Sequence, residues 1–340
     1  MPAGIKKLSK IQIGKESVSG TALAATTVLR GVGAMLGDQR KVEEVEEVIG
    51  IIGGADRDAI VQLLTMIDVP AKPITPEQFQ YVLAMALGGP TTGAADGVGT
   101  DKIFITNIPT TAQPTAVTYT VEGGDSFEVE RSEYCVVTKF TITMAANALA
   151  KLQFSIMGRQ STRMSGGFTA ALALPALSEL PVNKAKVYLD AIGGAYGTTQ
   201  VANTIIGAQI NVTTQWVPQF TMDGNLYYSY PSYADTKVEG AITFLHDTAA
   251  GGATGAKADF RARTPRLLRI DLIGDAVTTP GTLYSTKKVI IDLPIKYLSA
   301  PAISDQNGVD QIVFSFRSRY NATAGNAGKF TVVNELTTLP

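Results

Sequence analysis

Strict alternation of apolar and polar residues recurs in both halves of the chain and limits its fold more than any other feature. Successive side chains of a strand point to opposite faces, so this period marks strands with one buried and one wet face. Between Lys139 and Met144, Phe140, Ile142 and Met144 oppose Lys139, Thr141 and Thr143. Leu152, Phe154 and Ile156 alternate with Lys151, Gln153 and Ser155. Further along, Ile242, Phe244 and His246 share a face, as do Leu268, Ile270 and Leu272 opposite Arg269 and Asp271, and Ile312, Phe314 and Phe316 opposite Ser315 and Arg317. Half-wet strands of this kind belong to antiparallel sheets. Helical signals are fewer. Thr75-Pro76-Glu77 supplies an N-cap, a first-turn proline and an early acid; Phe79, Val82, Leu83 and Ala86 follow at helical spacing, and Gly88-Gly89 stops the run. Weaker helical patterns cover Asp56–Met66 and Ala256–Arg263. The reading is a mainly β fold with minor α.

At 340 residues the chain exceeds one average domain. The expected division is 1–165 and 166–340, because Ser165-Gly166-Gly167 leads into an Ala/Leu stretch closed by Pro175 and Pro181. The halves echo one another: Tyr119, Val136, Val137, Phe140, Ile142 and Gly158 run parallel to Tyr188, Ile205, Ile206, Ile210, Val212 and Gly224. Two stretches rich in Gly, Thr and Pro, Gly88–Pro114 and Gly274–Ser285, read as long loops. The first is expected to be mobile in a free subunit and ordered against a neighbouring one.

The chemistry available is narrow. Lys plus Arg number 29 against 30 Asp plus Glu, a net charge of -1, so no global field draws a polyanion to the surface. One cysteine, Cys135, excludes an internal disulfide, and one histidine, His246, leaves any nucleophilic triad to depend on it alone. In phase with Ile242 and Phe244, His246 is expected to pack on the apolar face. Gly252–Lys257 is too short for a phosphate loop and Gly31–Gly37 one residue too long for a dinucleotide fingerprint. No catalytic set, cofactor or metal is expected. No apolar stretch behind Lys6, Lys7 and Lys10 resembles a secretion signal, and no window approaches a membrane span.

Two clusters remain. Val42–Val48 reads VEEVEEV and concentrates Glu43, Glu44, Glu46 and Glu47, which suits either a solvated face or a surface that repels a polyanion. Trp216, Phe220, Tyr227, Tyr228, Tyr230 and Tyr233 suit strand packing, an inter-subunit contact or an aromatic platform for a sugar or base.

Six segments in order carry a family resemblance: GKESVSGTALAATTVLR (Gly14–Arg30), PEQFQYVLAMALGG (Pro76–Gly89), WVPQFTMDG (Trp216–Gly224), VEGAITFLHD (Val238–Asp247), LLRIDLIG (Leu267–Gly274) and VVNELTTLP (Val332–Pro340). Together they resemble the major tail tube proteins of long-tailed, non-contractile bacteriophages, the siphophages. The resemblance implies β-barrel or β-sandwich modules with a flanking helix, two in tandem, in a structural protein of the virion tail assembled in the host cytoplasm. It further implies homo-oligomeric rings stacked into a hollow conduit for DNA ejection. A homotrimeric, pseudo-hexameric ring is favoured by the length, with a hexamer as the alternative. Implied partners are further copies of the chain, tail tip and tail terminator proteins, a tape measure protein in the lumen during assembly, and DNA passing without being bound; no membrane and no enzymatic role are implied. A conduit must not retain DNA, so its lumen should be neutral or negative. Glu43, Glu44, Glu46 and Glu47 are the candidate lumen-facing acids, and the six aromatic residues the candidate inter-subunit contacts. The alternative function is a carbohydrate-binding or adhesive β-sandwich.

Overall fold

The computed structural model describes residues 5–31, 33, 36–53, 57–247, 252–299, 303–306 and 308–339. The first half forms β1 (Lys10–Lys15), β2 (Thr27–Leu29), β3 (Gly37–Glu44), β4 (Asp58–Pro73), α1 (Pro76–Leu87), β5 (Ala94–Ala95), β6 (Lys102–Asn107), β7 (Tyr119–Gly124), β8 (Val129–Ala145), β9 (Lys151–Gly158) and β10 (Thr162–Arg163). The second forms β11 (Lys186–Ala191), β12 (Ile205–Thr213), β13 (Trp216–Gln219), β14 (Tyr230–Tyr233), β15 (Lys237–Leu245), α2 (Ala253–Ala262), β16 (Arg266–Ala276), β17 (Thr286–Tyr297), β18 (Ile303–Gln306), β19 (Val309–Ser318) and β20 (Lys329–Asn334).

Antiparallel pairing arranges these strands in layers. A long sheet has the order β3-β4-β9-β8-β12-β15-β19-β18. A second has the order β11-β16-β17-β20-β6-β5. A third, β2-β1-β7-β8-β10, uses the first part of β8. The end of β17 pairs with β19 and ties the second sheet to the long one. The sheets stay open, and no closed barrel forms within the chain.

Helix α1 organises the core. Thr75 caps it, its Oγ1 accepting from the Gln78 N–H at 3.4 Å, and Gly88 ends it in the left-handed region at φ 66°. Every residue of α1 except Gln78 is buried, as expected for a helix surrounded by protein rather than lying on a surface. Phe79 meets Phe140 of β8 at 5.8 Å and Phe330 of β20 at 6.2 Å, and those two rings meet each other at 5.8 Å. Tyr81 stacks edge-on against Tyr119 of β7 at 6.0 Å. The helix is therefore enclosed between all three sheets rather than flanking them.

One strand serves two sheets because its backbone turns midway. Tyr134 of β8 sits at φ 57°, a left-handed value that costs a non-glycine residue about 1–2 kcal/mol. The strand pairs with β7 as far as Cys135, with β9 from Val136 and with β12 from Lys139. The buried Glu16 carboxylate holds the turn, accepting from the Tyr134 and Gly20 N–H groups at 2.8 and 2.7 Å and from the Thr118 and Thr120 hydroxyls at 2.7 and 3.0 Å.

Two expectations are corrected. The Asp56–Met66 helical pattern is strand: β4 starts at Asp58 and pairs first with β3, then with β9. Burial alternates only beyond that stretch, where buried Ile67 and Val69 flank exposed Asp68. His246 lies one residue past β15 with its side chain exposed and Nδ1 3.9 Å from Asp310 Oδ2, not on the apolar face. Within its own chain the Gly88–Pro114 stretch is tied down at several points: β6 pairs with β20, the Gly93 N–H donates to the Thr337 carbonyl at 3.0 Å, and the Leu339 N–H donates to the Thr91 carbonyl at 2.7 Å.

The aromatic triangle should dominate stability. Phe330→Ala removes the ring shared by α1, β8 and β20, and the expected loss is about 3–5 kcal/mol, read from chemical denaturation of the monomer.

Candidate assembly surfaces

The long sheet buries one face on α1 and leaves the other open. Cross-strand register arranges the open face in rows. One row is Asp68, Ser155, Lys139, Thr213 and Lys237; the next is Gln153, Thr141, Asn211, Glu239 and Arg317; a third is Lys151, Thr143, Gln209, Ala241 and Ser315. Thr141 Oγ1 donates to Asn211 Oδ1 at 3.0 Å and Gln209 Nε2 donates to the same oxygen at 3.1 Å. Short polar side chains thus cover a broad sheet, with Lys139, Lys151, Lys237 and Arg317 dispersed among Asp68 and Glu239. Single-sided solvation explains the alternation in the sequence.

The same sheet repeats a strand order. In the first half β3 and β4 are followed by α1, later by the β8–β9 hairpin, and the spatial order is β3-β4-β9-β8. In the second half β12 and β15 are followed by α2, later by the β18–β19 hairpin, and the order is β12-β15-β19-β18. Four antiparallel steps separate β3 from β12, so the two units begin in the same direction. This correspondence matches β3 with β12, whereas the sequence echo matched β8 with β12, which are partners in the sheet. Among the described strands β3 pairs only with β4, and β18 only with β19, so the long sheet ends in two unpaired edges. Unpaired edges invite pairing with another chain.

The β3–β4 hairpin runs past the sheet. Only residues from Thr65 onward pair with β9, so the seven residues before it and the connecting loop project roughly 20 Å or more. Glu43 and Glu44 end β3, and Glu46 and Glu47 follow in the loop, all outside the body of the sheet. Lys41 Nζ lies 3.0 Å from Glu43 Oε1, and Arg57 pairs with Glu47. Val42, Val45, Val48, Ile49, Ile51 and Ile52 are exposed along the same hairpin, an aliphatic patch of the kind that marks an interaction surface.

The aromatic cluster divides. Trp216 is buried and its Nε1 donates to the Ala86 carbonyl of α1 at 2.9 Å; Tyr228 is buried and its hydroxyl donates to the Tyr134 carbonyl at 2.6 Å. These two anchor the β13–β14 hairpin to its own chain. Arg159 adds to the anchor, donating to the Tyr228, Ser229 and Gly20 carbonyls and lying 5.0 Å from the Tyr227 ring centre. Phe220 and Tyr230 are 41% and 52% exposed, and Tyr233 is half-buried beside Trp216 at 5.0 Å.

Buried charge is used for closure. Asp96 accepts from the Leu283 and Tyr284 N–H groups, each at 2.8 Å, which joins the two long loops. Burial would raise the Asp96 pKa, but these backbone bonds, together with Asp101 and Thr282, hold it low. Asp101 is fully buried beside it, and burial, then the hydrogen bond with Asp96, raises its pKa. Glu335 is held at about 2, because bonds from Thr278, Lys287 and Thr100 outweigh its burial. Lys287 bridges Glu335 at 3.0 Å to the α1 residue Glu77 at 3.3 Å. Cys135 is buried and its thiol pKa is pushed up by that burial, which suppresses the reactive thiolate. Among the described residues no group of three or more His, Cys, Asp or Glu is placed to hold a metal.

A polar open sheet, unpaired edges and a projecting apolar hairpin are the features of a surface open to other chains. The sequence model of the phage tail tube protein family matches residues 7–331. The chain belongs to that family and has a structural role in the virion tail. None of the curated proteins matches the chain.

Two measurements separate anchors from contacts. Trp216→Ala should destabilise the isolated chain by about 3–5 kcal/mol, because it empties a buried site and orphans the Ala86 carbonyl. Phe220→Ala with Tyr230→Ala should leave monomer stability within about 0.5 kcal/mol, as exposed substitutions do.

The acid pair gives a pH signature. A carboxyl whose pKa is raised on folding contributes stability below its unfolded pKa and loses it as pH rises through the folded value. Asp101→Asn keeps a donor toward Asp96 without titrating. The variant should therefore match the parent in acid and exceed it at neutral and alkaline pH, measured by urea denaturation across pH.

Proposed function

We propose that the chain forms a homotrimeric ring whose joined long sheets make a hollow conduit for DNA, with rings stacked into the tail tube. The observation that carries this reading is the repeated strand order. Each unit supplies four strands to the long sheet, each chain eight, and three chains twenty-four. Within the chain the units meet where β8 pairs with β12. The equivalent junction between chains joins β18 of one copy to β3 of the next, and both are edges left unpaired. Three such junctions close a pseudo-sixfold barrel from modules 1–165 and 166–340. With strands about 4.8 Å apart and tilted about 40°, a 24-stranded barrel is on the order of 45–50 Å across between backbones.

In this ring α1 and the second sheet lie outside and the polar rows face the lumen. Dispersed Thr, Ser, Asn and Gln give DNA few fixed cations, and phosphate binding scales with the number neutralised. The wall departs from the expected neutral or negative charge, since four cations stand against two acids on the rows described. Glu43, Glu44, Glu46 and Glu47 fall at the axial end of the barrel rather than on its wall. Phe220, Tyr227, Tyr230 and Tyr233 lie on a hairpin beside β4, where Leu63 N–H donates to the Leu226 carbonyl at 2.9 Å, and serve as contacts to a neighbouring copy. In this ring the protein acts by shape, as a structural subunit of the tail. Tail tip, terminator and tape measure proteins are its further partners, and assembly takes place in the host cytoplasm.

Native mass spectrometry and electron microscopy test the stoichiometry. The expected particle holds three chains with a sixfold-looking outline. Six chains per ring would replace the trimer while keeping the tube, and a monomer at every concentration would reject both.

A further inference from the structure

Strand β4 separates charge along its length. At its start stands the hairpin tip, where the described residues 41–53 and 57–58 hold five carboxylates against Lys41 and Arg57. Near its end Lys72 lines a cleft of about 400 Å³ together with Lys6, Lys7, Lys10 and Arg30. Among the described residues no carboxylate lines that cleft. Buried Leu29 and the exposed Leu174 form its apolar part. Lys10 is positioned over the Phe168 ring at 4.4 Å, and Arg30 is held by a bond to the Pro175 carbonyl at 3.0 Å. Fourteen residues of strand between Asp58 and Lys72 put the two features roughly 45 Å apart, at opposite ends of one rigid element.

Resting on the ring reading above, we propose that this basic cleft receives the acidic, aliphatic hairpin tip of a second copy of the chain in the adjoining ring. Complementary patches at opposite ends of one strand cannot meet within a chain, and they generate a heterologous contact that repeats along an axis. The occupant matches the cleft twice. Glu43, Glu44, Glu46 and Glu47 meet Lys6, Lys7, Lys10, Arg30 and Lys72, while Val45 and Val48 of the tip cover Leu174 and the apolar floor. Five clustered cations repel one another when the cleft is empty, and an acidic occupant removes that repulsion. The site therefore sets the direction of stacking as well as its strength, because a tip meeting a tip brings like charges together.

Two charge reversals of the full chain test this. One carries Lys6→Glu, Lys7→Glu, Lys10→Glu and Lys72→Glu; the other carries Glu43→Lys, Glu44→Lys, Glu46→Lys and Glu47→Lys. Each alone should form rings but lower the fraction in sedimentable tubes by about tenfold or more. Mixed, the two should recover tubes of alternating rings, since each tip then faces a cleft of opposite sign. Circular dichroism melts confirm that each variant folds. Normal tube yield from the cleft reversal alone, or no recovery on mixing two folded ring-forming variants, overturns the proposal. Absence of rings from the parent chain overturns the ring reading instead.

Discussion

The burial of α1 is the constraint on which the other elements depend. A helix with apolar residues on every side cannot lie on a surface, because an exposed side would leave several large side chains in water at roughly 1.5–3 kcal/mol each. It must be covered from several directions. Phe140, Phe330 and Tyr119 supply that cover from three sheets, and Trp216 adds a fourth contact from the β13–β14 hairpin. Each sheet thereby spends one face on the helix or on its neighbours. The face of the long sheet that points away from α1 is then free to be polar, and the alternation of Thr, Lys, Gln and Asn with Phe, Ile and Leu follows from that division.

Closure on the helix also explains the ionic and loop chemistry. Glu77 enters the first turn of α1 almost without water, and Lys287 of β17 compensates it while being shared with Glu335 after β20. A lone buried carboxylate would cost several kcal/mol, so the helix, the second sheet and the C-terminal segment must be in place together. Asp96 does the same between the two long loops. These are contacts between residues far apart in sequence: Glu77 with Lys287, Asp96 with Leu283, Thr91 with Leu339. The loop from Gly88 is tied to its own chain in this way, and some of its glycines stand where other groups approach closely. At Gly99 a Cβ would stand 2.3 Å from Asp101 Oδ1, and at Gly281 one would stand 2.4 Å from the Asp96 carboxylate.

What could be read in the sequence was local. Period 2 marked β8, β9, β15, β16 and β19, and the Thr75-Pro76 cap with the Gly88 stop marked α1, because each of these signals is written in neighbouring residues. Asp56–Met66 misled because an apolar run carries both periods over a short window, and only its partners, β3 and β9, decide between them. His246 misled through phase: it continues the buried set of β15, but the strand stops at Leu245. The aromatic cluster was visible as composition. Its division into anchors and exposed rings was not, since Trp216 is buried by Ala86, 130 residues away. The family resemblance, resting on the order of six segments, reached the structural role that no single residue discloses. The basic cleft left almost no trace, for Lys6 and Lys7 precede β1, Lys10 begins it, Arg30 follows β2 and Lys72 lies in β4, and they meet only in the fold.

The strand count of the repeated unit has a geometric consequence for assembly. Antiparallel neighbours alternate in direction, so a unit with an even number of strands returns the next unit to its starting direction, while an odd number would reverse it. Four strands per unit therefore let β12 begin parallel to β3, as it does, and allow the β8–β12 junction to be copied at every later junction with the same hydrogen-bonding pattern. In the proposed ring the long sheet of one chain is one segment of such a series. An isolated chain leaves β3 and β18 with unpaired backbone groups and no covering helix, a state that is prone to disordered aggregation unless the edges are short or charged. Here β18 spans four residues and β3 carries Asp38, Arg40, Lys41, Glu43 and Glu44. A charged edge and a short edge are slow to pair at random. In the proposed ring these two edges pair with each other, and the four-residue length of β18 limits the registers open to them.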